Sequence, residues 1–453
     1  MSKSLKITLL YGAVLFIDIL ETTLLNVGIP SIANGLRVSP LDLNIAVTSF
    51  IWGLTLLIPL AGWLGTRFGN KRVFVTGQAL FLLFSVICSI AQSPLELAFL
   101  RTLQGASAGL VIPLGLALLM SSLKPEERTT TMAKISIVPR LAPLLGPITG
   151  GYTIVYFGWR ALFLLKVPMA LACLFLSHRW LQEDAPVRSK EAFDWKGLAL
   201  CSICLACLLA TFAFLGRPSG IYAAIFSGTI AITSLIAFVH HESRVSNPII
   251  PMHLFSYKTF AEGNLIQLLG LTVLFGLTMI SSIYLQRALD FTIVTTGWVL
   301  SVSTIGMMLA IPIVSTLHIR VGPRPLILAG FLLLMLALFG LSTLLPGDSP
   351  YLASLIMAVA GMGSALIMGT NAAVVFTEIP ANLVGAASSV FSLVRQVGSC
   401  LGIAMTGAIL MACADYGITA FHIAMYTLMA FAAVGAGLSG LSSETVRTVA
   451  EPS

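Results

Sequence analysis

Charged side chains are scarce in this chain. They make up 9% of its 453 residues, whereas a soluble domain carries roughly a quarter, which excludes an ordinary soluble fold. Lys and Arg outnumber Asp and Glu by 25 to 18, yet no basic cluster is long enough to follow a phosphate backbone. The excess falls between apolar runs, so it argues for membrane orientation and against a nucleic-acid partner. A GxxxxGK segment is missing, and ATP is therefore not expected as the energy source within this chain. There are six histidines, and none falls in mid-span except His422, near the outer end of the last apolar run, so an intramembrane enzyme lacks an evident base. All seven cysteines, Cys88, Cys173, Cys201, Cys204, Cys207, Cys400 and Cys413, sit in or at the end of apolar runs, which argues against a disulfide framework. The spacing of Cys201, Cys204 and Cys207 has no His or carboxylate beside it, so neither a metal site nor a cofactor is expected.

Hydrophobic residues, 57% of the chain, take the place of charge. A crossing needs about 20 apolar residues. On that criterion fourteen spans are predicted, at 9–29, 45–64, 73–92, 98–121, 132–155, 161–181, 197–215, 221–240, 260–285, 297–317, 325–345, 351–376, 383–412 and 419–441. The start, MSKSLKITLLYGAVLF, has the charge and apolar core of a signal peptide. It lacks a small-residue cleavage site and runs on to Pro30, so it is read as a retained first span. Placing the N-terminus in the cytoplasm puts 16 of the 25 basic residues in inner loops and leaves Arg37, Arg160, Arg217 and Arg287 outside. Both termini are then cytoplasmic. The turns GWLGTRFGNKR (62–72) and LHIRVGPRP (317–325) each set a glycine between basic residues. This weak repeat suggests two equivalent six-span halves, 1–190 and 246–453, with two inserted spans over 191–245, and a substrate site between the halves near the midplane.

These segments carry a family resemblance. GWLGTRFGNKR resembles the loop signature of the major facilitator superfamily, the stretch from Arg101 through Gly105 and Ala106 to Gly109 resembles its fourth-helix motif, and PLLGPITGG (143–151) resembles the fifth-helix motif of its antiporters. ETTLLNVGIP (21–30), AFDWKG (192–197), ESRVSNPIIPMHLF (242–255), YLQ (284–286) and the pair GAASS and RQVGSCLG (385–402) are similar to the fourteen-span branch of drug:proton antiporters. The resemblance implies an all-α integral membrane protein of major facilitator fold, monomeric, in a bacterial inner membrane, exporting small amphipathic compounds in exchange for protons by alternating access. It implies a gate or hinge at Pro143, Gly146, Pro147, Gly150 and Gly151, where the two prolines bend the helix and the small residues admit a neighbour. It also implies a cytoplasmic latch at Gly62, Arg67, Gly69, Lys71 and Arg72. There the chain departs from the pattern, because Thr66 stands where an aspartate is usual, so the latch either draws on acids such as Glu126 or Glu127 or is weaker.

The sharpest signal is IDILETTLLNV (17–27), which places Asp18 and Glu21 on one helical face within an apolar run. Either carboxylate is costly in lipid, at about 2.5 to 3.5 kcal/mol on insertion scales, so each needs a partner. By the resemblance Glu21 holds the family's acidic position with one extra methylene, and Arg101 is the expected partner of Glu21 or Asp18. A carboxylate is driven towards its neutral form by desolvation and towards its charged form by an adjacent cation, so a motion that alters either term moves a proton. Two carboxylates a turn apart titrate as a coupled pair. Asn26, Gln104, Arg140, Lys166, Arg395 and Gln396 are candidate cavity residues. Arg140 and Lys166 stand out, Lys166 because the family usually has asparagine there. They would favour an anionic metabolite, for example a carboxylate-rich chelator, unless Lys166 snorkels to the outer interface. A non-transporting membrane sensor is the remaining alternative.

Overall fold

With no water in the bilayer core, a chain this apolar must satisfy its backbone polar groups internally, and helices do so within each segment. The computed structural model describes residues 3–39, 43–123, 131, 138–181, 193–215, 220–245, 248–380 and 383–441, and among these it holds helices and no strands. The chain divides into two units, Met1–Ala206 and Cys207–Ser453.

The first unit contains α1 (Lys3–Leu36), α2 (Asn44–Phe68), α3 (Asn70–Cys88), α4 (Pro94–Ser122), α5 (Val138–Phe157), α6 (Ala161–Leu164) and α7 (Val167–Trp180). Helix α8 (Trp195–Leu215) runs across the division. The second unit continues with α9 (Ile221–Glu242), α10 (Lys258–Arg287), α11 (Ile293–Val321), α12 (Pro323–Ser342), α13 (Pro350–Val374), α14 (Val384–Ala412) and α15 (Ile418–Leu441). Among the described residues, thirteen stretches are long and apolar enough to cross a membrane, α6 and α7 together making one; Leu141–Phe157 in α5 is a shorter apolar helix. Residues 132–137, expected at the start of the fifth span, lie outside the described residues. Helix starts follow local chemistry. Ser93 caps α4 by accepting from the Glu96 amide at 3.1 Å, and Pro94 fills the first helical position, where no N–H is required.

The expected span 161–181 is met by Ala161–Trp180. Within it the helical hydrogen bonding is interrupted at Leu165 and Lys166, between α6 and α7, although both residues keep right-handed helical backbone angles. Pro168, at the second position of α7, has no N–H to offer the Leu164 carbonyl four residues back, and its ring crowds that carbonyl.

Packing in the second unit repeats that of the first. Helix α2 packs on α4 as α11 packs on α13, α1 on α5 as α10 on α14, and α3 on α4 as α12 on α13. The match reaches individual residues. Thr23 on α1 donates to the Ala142 carbonyl at 3.5 Å, and a methyl added at Gly146 would collide with its Oγ1. Thr272 on α10 donates to the Gly398 carbonyl at 3.2 Å, and a methyl at Gly402 would collide with the Thr272 carbonyl. The two basic turns also correspond. Gly69 joins α2 to α3 at φ 92°, and Gly322 joins α11 to α12 at φ 82°, a region L-residues with a side chain rarely enter.

Candidate functional site

The first unit converges on Glu21. Its carboxylate, 1% exposed, is ion-paired with Arg101 of α4 through Oε1 and with Lys166, at the turn before α7, through Oε2; both cations are likewise 1% exposed. Gln104 Nε2 donates to Glu21 Oε2 at 3.3 Å and to Ser85 Oγ of α3 at 2.8 Å, while Gln104 Oε1 accepts from Arg101 Nη1 at 2.8 Å. Arg101 Nε donates to the Ala46 carbonyl of α2 at 3.3 Å, and its guanidinium lies 4.4 Å from the Phe50 ring centroid. Cys88 Sγ approaches Gln104 Oε1 at 3.9 Å. One carboxylate thus ties α1 to α4 and the α6–α7 turn and, through Gln104 and Arg101, to α3 and α2. Arginine suits this hub because its planar fork serves several acceptors at once.

Local sequence explains the convergence. Arg101 and Gln104 are three apart, so they share one face of α4. Lys166 sits at the interruption between α6 and α7, where the backbone stays helical, and its ammonium meets Glu21 of α1. Sequence depth had put it in the outer part of its span, where snorkelling was the alternative to lining a cavity. The structure instead buries its ammonium beside Glu21 and within 5.3 Å of the Phe163 ring centroid and 5.7 Å of that of Phe81.

Asp18, one turn before Glu21, is half-buried and lines a cavity of about 30 Å³ together with Gln78, Phe81, Val111, Ala170 and Cys173. This is space enough for a water molecule. Gln78 accepts from Ser177 Oγ at 2.7 Å, and its Nε2 makes no hydrogen bond. Of the remaining candidates, Asn26 is buried on α1. Arg140 belongs to α5, and its side chain lies outside the described residues. Arg395, exposed, and Gln396, half-buried, stand on α14 in the second unit. Pro143, Gly146, Pro147, Gly150 and Gly151 all lie within α5, and the glycines are buried. In the loop motif Gly62 is exposed, and Arg67 stacks over Trp63 at 5.1 Å, which in turn packs against Phe193 and Trp195. Thr66 hydrogen-bonds the Trp63 carbonyl at 2.9 Å; Glu126 and Glu127 lie outside the described residues. The seven cysteines form no disulfide, and no metal-ligand cluster occurs among the described residues.

Sequence reasoning missed Ser85, the Ala46 carbonyl, Gln78 and the rings of Phe50, Phe81 and Phe163. None carries a spacing signal; each becomes visible only once the helices are packed.

A bundle of membrane-crossing helices closed around a buried carboxylate and its cations belongs to an integral membrane transporter. The chain is a member of the major facilitator superfamily, whose family model matches residues 12–403. It is similar to the multidrug resistance protein B homolog of Mycobacterium tuberculosis (strain CDC 1551 / Oshkosh), at 32% identity over 80% of this chain and 68% of that one. It resembles the multidrug export protein EmrB of Haemophilus influenzae at 28% identity, covering 88% and 79% of the two chains. Among solved structures the fold matches the nucleoside transporter NupG, with a TM-score of 0.68 and 14% identity over 97% of this chain and 98% of that one. It also matches the POT family transporter PepTSo, with a TM-score of 0.71 and 13% identity over 97% and 96%.

Proposed function

We propose that this transporter exports small amphipathic compounds in exchange for protons by alternating access, with the proton gradient as its energy source and no cofactor. The carrying observation is Glu21, a buried carboxylate held by Arg101, Lys166 and Gln104. When ionised, it ties α1 to α4 and to the α6–α7 turn. A proton that neutralises it releases both cations from their counter-ion and loosens those ties, so the proton and the helix arrangement bias each other. Asp18, a turn away and open to a small cavity, is the second acid of the pair. The printed names of the relatives, multidrug resistance and multidrug export proteins, support the substrate class. The alternative of an anionic metabolite rested on Arg140 and Lys166; the Lys166 ammonium is committed to Glu21, which it shares with Arg101, and the Arg140 side chain lies outside the described residues.

In this reading the protein is a monomer of a bacterial inner membrane with both termini cytoplasmic. Helices α8 and α9 are an insertion between the two six-span halves, supported by the sparse burial of α8, whose buried residue is Gly197. The test is uptake by proteoliposomes of chloramphenicol, fluorescein and tetraphenylphosphonium as neutral, anionic and cationic probes. An imposed pH gradient is expected to drive at least one of them, and Asp18→Asn combined with Glu21→Gln to abolish that drive. Flux indifferent to both the gradient and the substitutions would reject proton coupling through these acids.

A further inference from the structure

The surroundings of the Lys166 ammonium are those of an organic-cation site. A carboxylate faces it from α1, and two aromatic rings flank it, Phe163 at 5.3 Å and Phe81 at 5.7 Å between nitrogen and ring centroid. Carboxylate plus aromatic faces is the combination by which proteins hold alkylammonium groups, because ring quadrupole and anion both attract a weakly hydrated cation. Glu21, Phe163 and Lys166 are all at most 1% exposed and Phe81 is 7% exposed, so the arrangement is desolvated and correspondingly strong. Here the cation belongs to the chain itself.

We propose that Lys166 is an internal ligand, occupying in cis the place that a cationic group of a transported compound would take on Glu21. A monocation must then displace a tethered lysine, and doing so would leave that ammonium buried without its counter-ion, a heavy penalty. A neutral or anionic compound pays no such toll. Lys166 is thus a specificity-determining residue, and the transporter selects compounds without a fixed positive charge. Arg101 does not substitute for it, since its guanidinium is committed to Gln104, the Ala46 carbonyl and the other carboxylate oxygen of Glu21. The inference takes its meaning as substrate selection from the transport reading above.

Equilibrium binding of radiolabelled tetraphenylphosphonium to the purified full-length protein tests it without requiring transport. Wild type is expected to bind weakly. Lys166→Met is expected to gain about tenfold or more, the scale of one desolvated cation–aromatic contact. Adding Glu21→Gln should return binding to the wild-type level, and Lys166→Arg, which keeps a tethered cation, should stay there too. Lys166→Asn serves as a second variant if the methionine variant does not survive purification. Wild type that already binds the cation as tightly as Lys166→Met, a folded Lys166→Met and Lys166→Asn that gain nothing, or a gain that persists with Glu21→Gln would each overturn the proposal. Absence of gradient-driven flux for all three probes in wild-type proteoliposomes would instead reject the transport reading, whatever the binding result.

Discussion

Glu21 is one acceptor serving three donors, Arg101 and Gln104 from α4 and Lys166 from the turn before α7. Removing one member of a buried ion cluster costs about 3–5 kcal/mol, mainly by stranding the charges left behind. Arg101→Met is therefore expected to lower the thermal midpoint of the purified protein by several degrees, and a midpoint equal to wild type would contradict the cluster's structural weight. Arg101→Lys should not restore transport, since an ammonium cannot serve Glu21, Gln104 and the Ala46 carbonyl with the geometry of a guanidinium; gradient-driven flux in that variant is the readout. That Arg101 pairs with an acid of α1 was legible in the sequence because intramembrane charge is rare and must find a partner; that the acid is Glu21 rather than Asp18, and that Gln104 joins it, came with the packing. Lys166 was visible as a charge but not as the second cation on Glu21, since no spacing in the sequence links it to α1.

At the scale of elements, the break between α6 and α7 and the contact between α1 and α5 are the two places where local chemistry sets the site. Pro168→Ala restores the missing donor to the Leu164 carbonyl and favours a continuous helix. Because Leu165 and Lys166 already hold helical backbone angles, Lys166 keeps its place on Glu21, and the expected outcome is a protein that folds and retains gradient-driven flux. Gly146→Leu places a side chain against Thr23 where a methyl already collides. Overpacking of this kind costs about 1–3 kcal/mol, so a lower thermal midpoint and slower transport are predicted, with Gly402→Leu behaving alike at Thr272. The existence and order of the spans were readable from apolar length alone. Their ends were not: α1 runs over Lys3–Leu36 against an expected 9–29, because a helix needs an apolar stretch only where it meets lipid and continues through polar flanks. The break at 165–166 was hidden for a related reason, since apolar composition continues across it.

Over the whole molecule, the repeat extends further than the two basic turns suggested. The pairing of Thr23 with Ala142 and Gly146, matched by Thr272 with Gly398 and Gly402, fixes one register between the units. A second comes from Gly53, packed on the Thr102 carbonyl, and Gly306, packed on that of Ala358. By these registers Glu21 corresponds to Gly270 and Arg101 to Met357. The two units share a scaffold, while the ion cluster belongs to the first. Among the described residues of the second unit the buried charged side chain is Glu242, at the end of α9, where its carboxylate accepts from the Ile250 amide at 2.7 Å; deeper in the helix packing Asn371 Nδ2 donates to the Gly263 carbonyl at 2.9 Å and to Gln267 Oε1 at 3.3 Å. The scaffold is duplicated while the Glu21 cluster is not, and the proposed proton coupling therefore rests on the first unit. The most direct measurement is made on Glu21→Gln in proteoliposomes, comparing gradient-driven flux with counterflow exchange of whichever probe wild type transports. Gradient-driven flux lost with counterflow retained is the predicted result; a Glu21→Gln protein that still accumulates the probe in response to the pH gradient as wild type does would contradict the account.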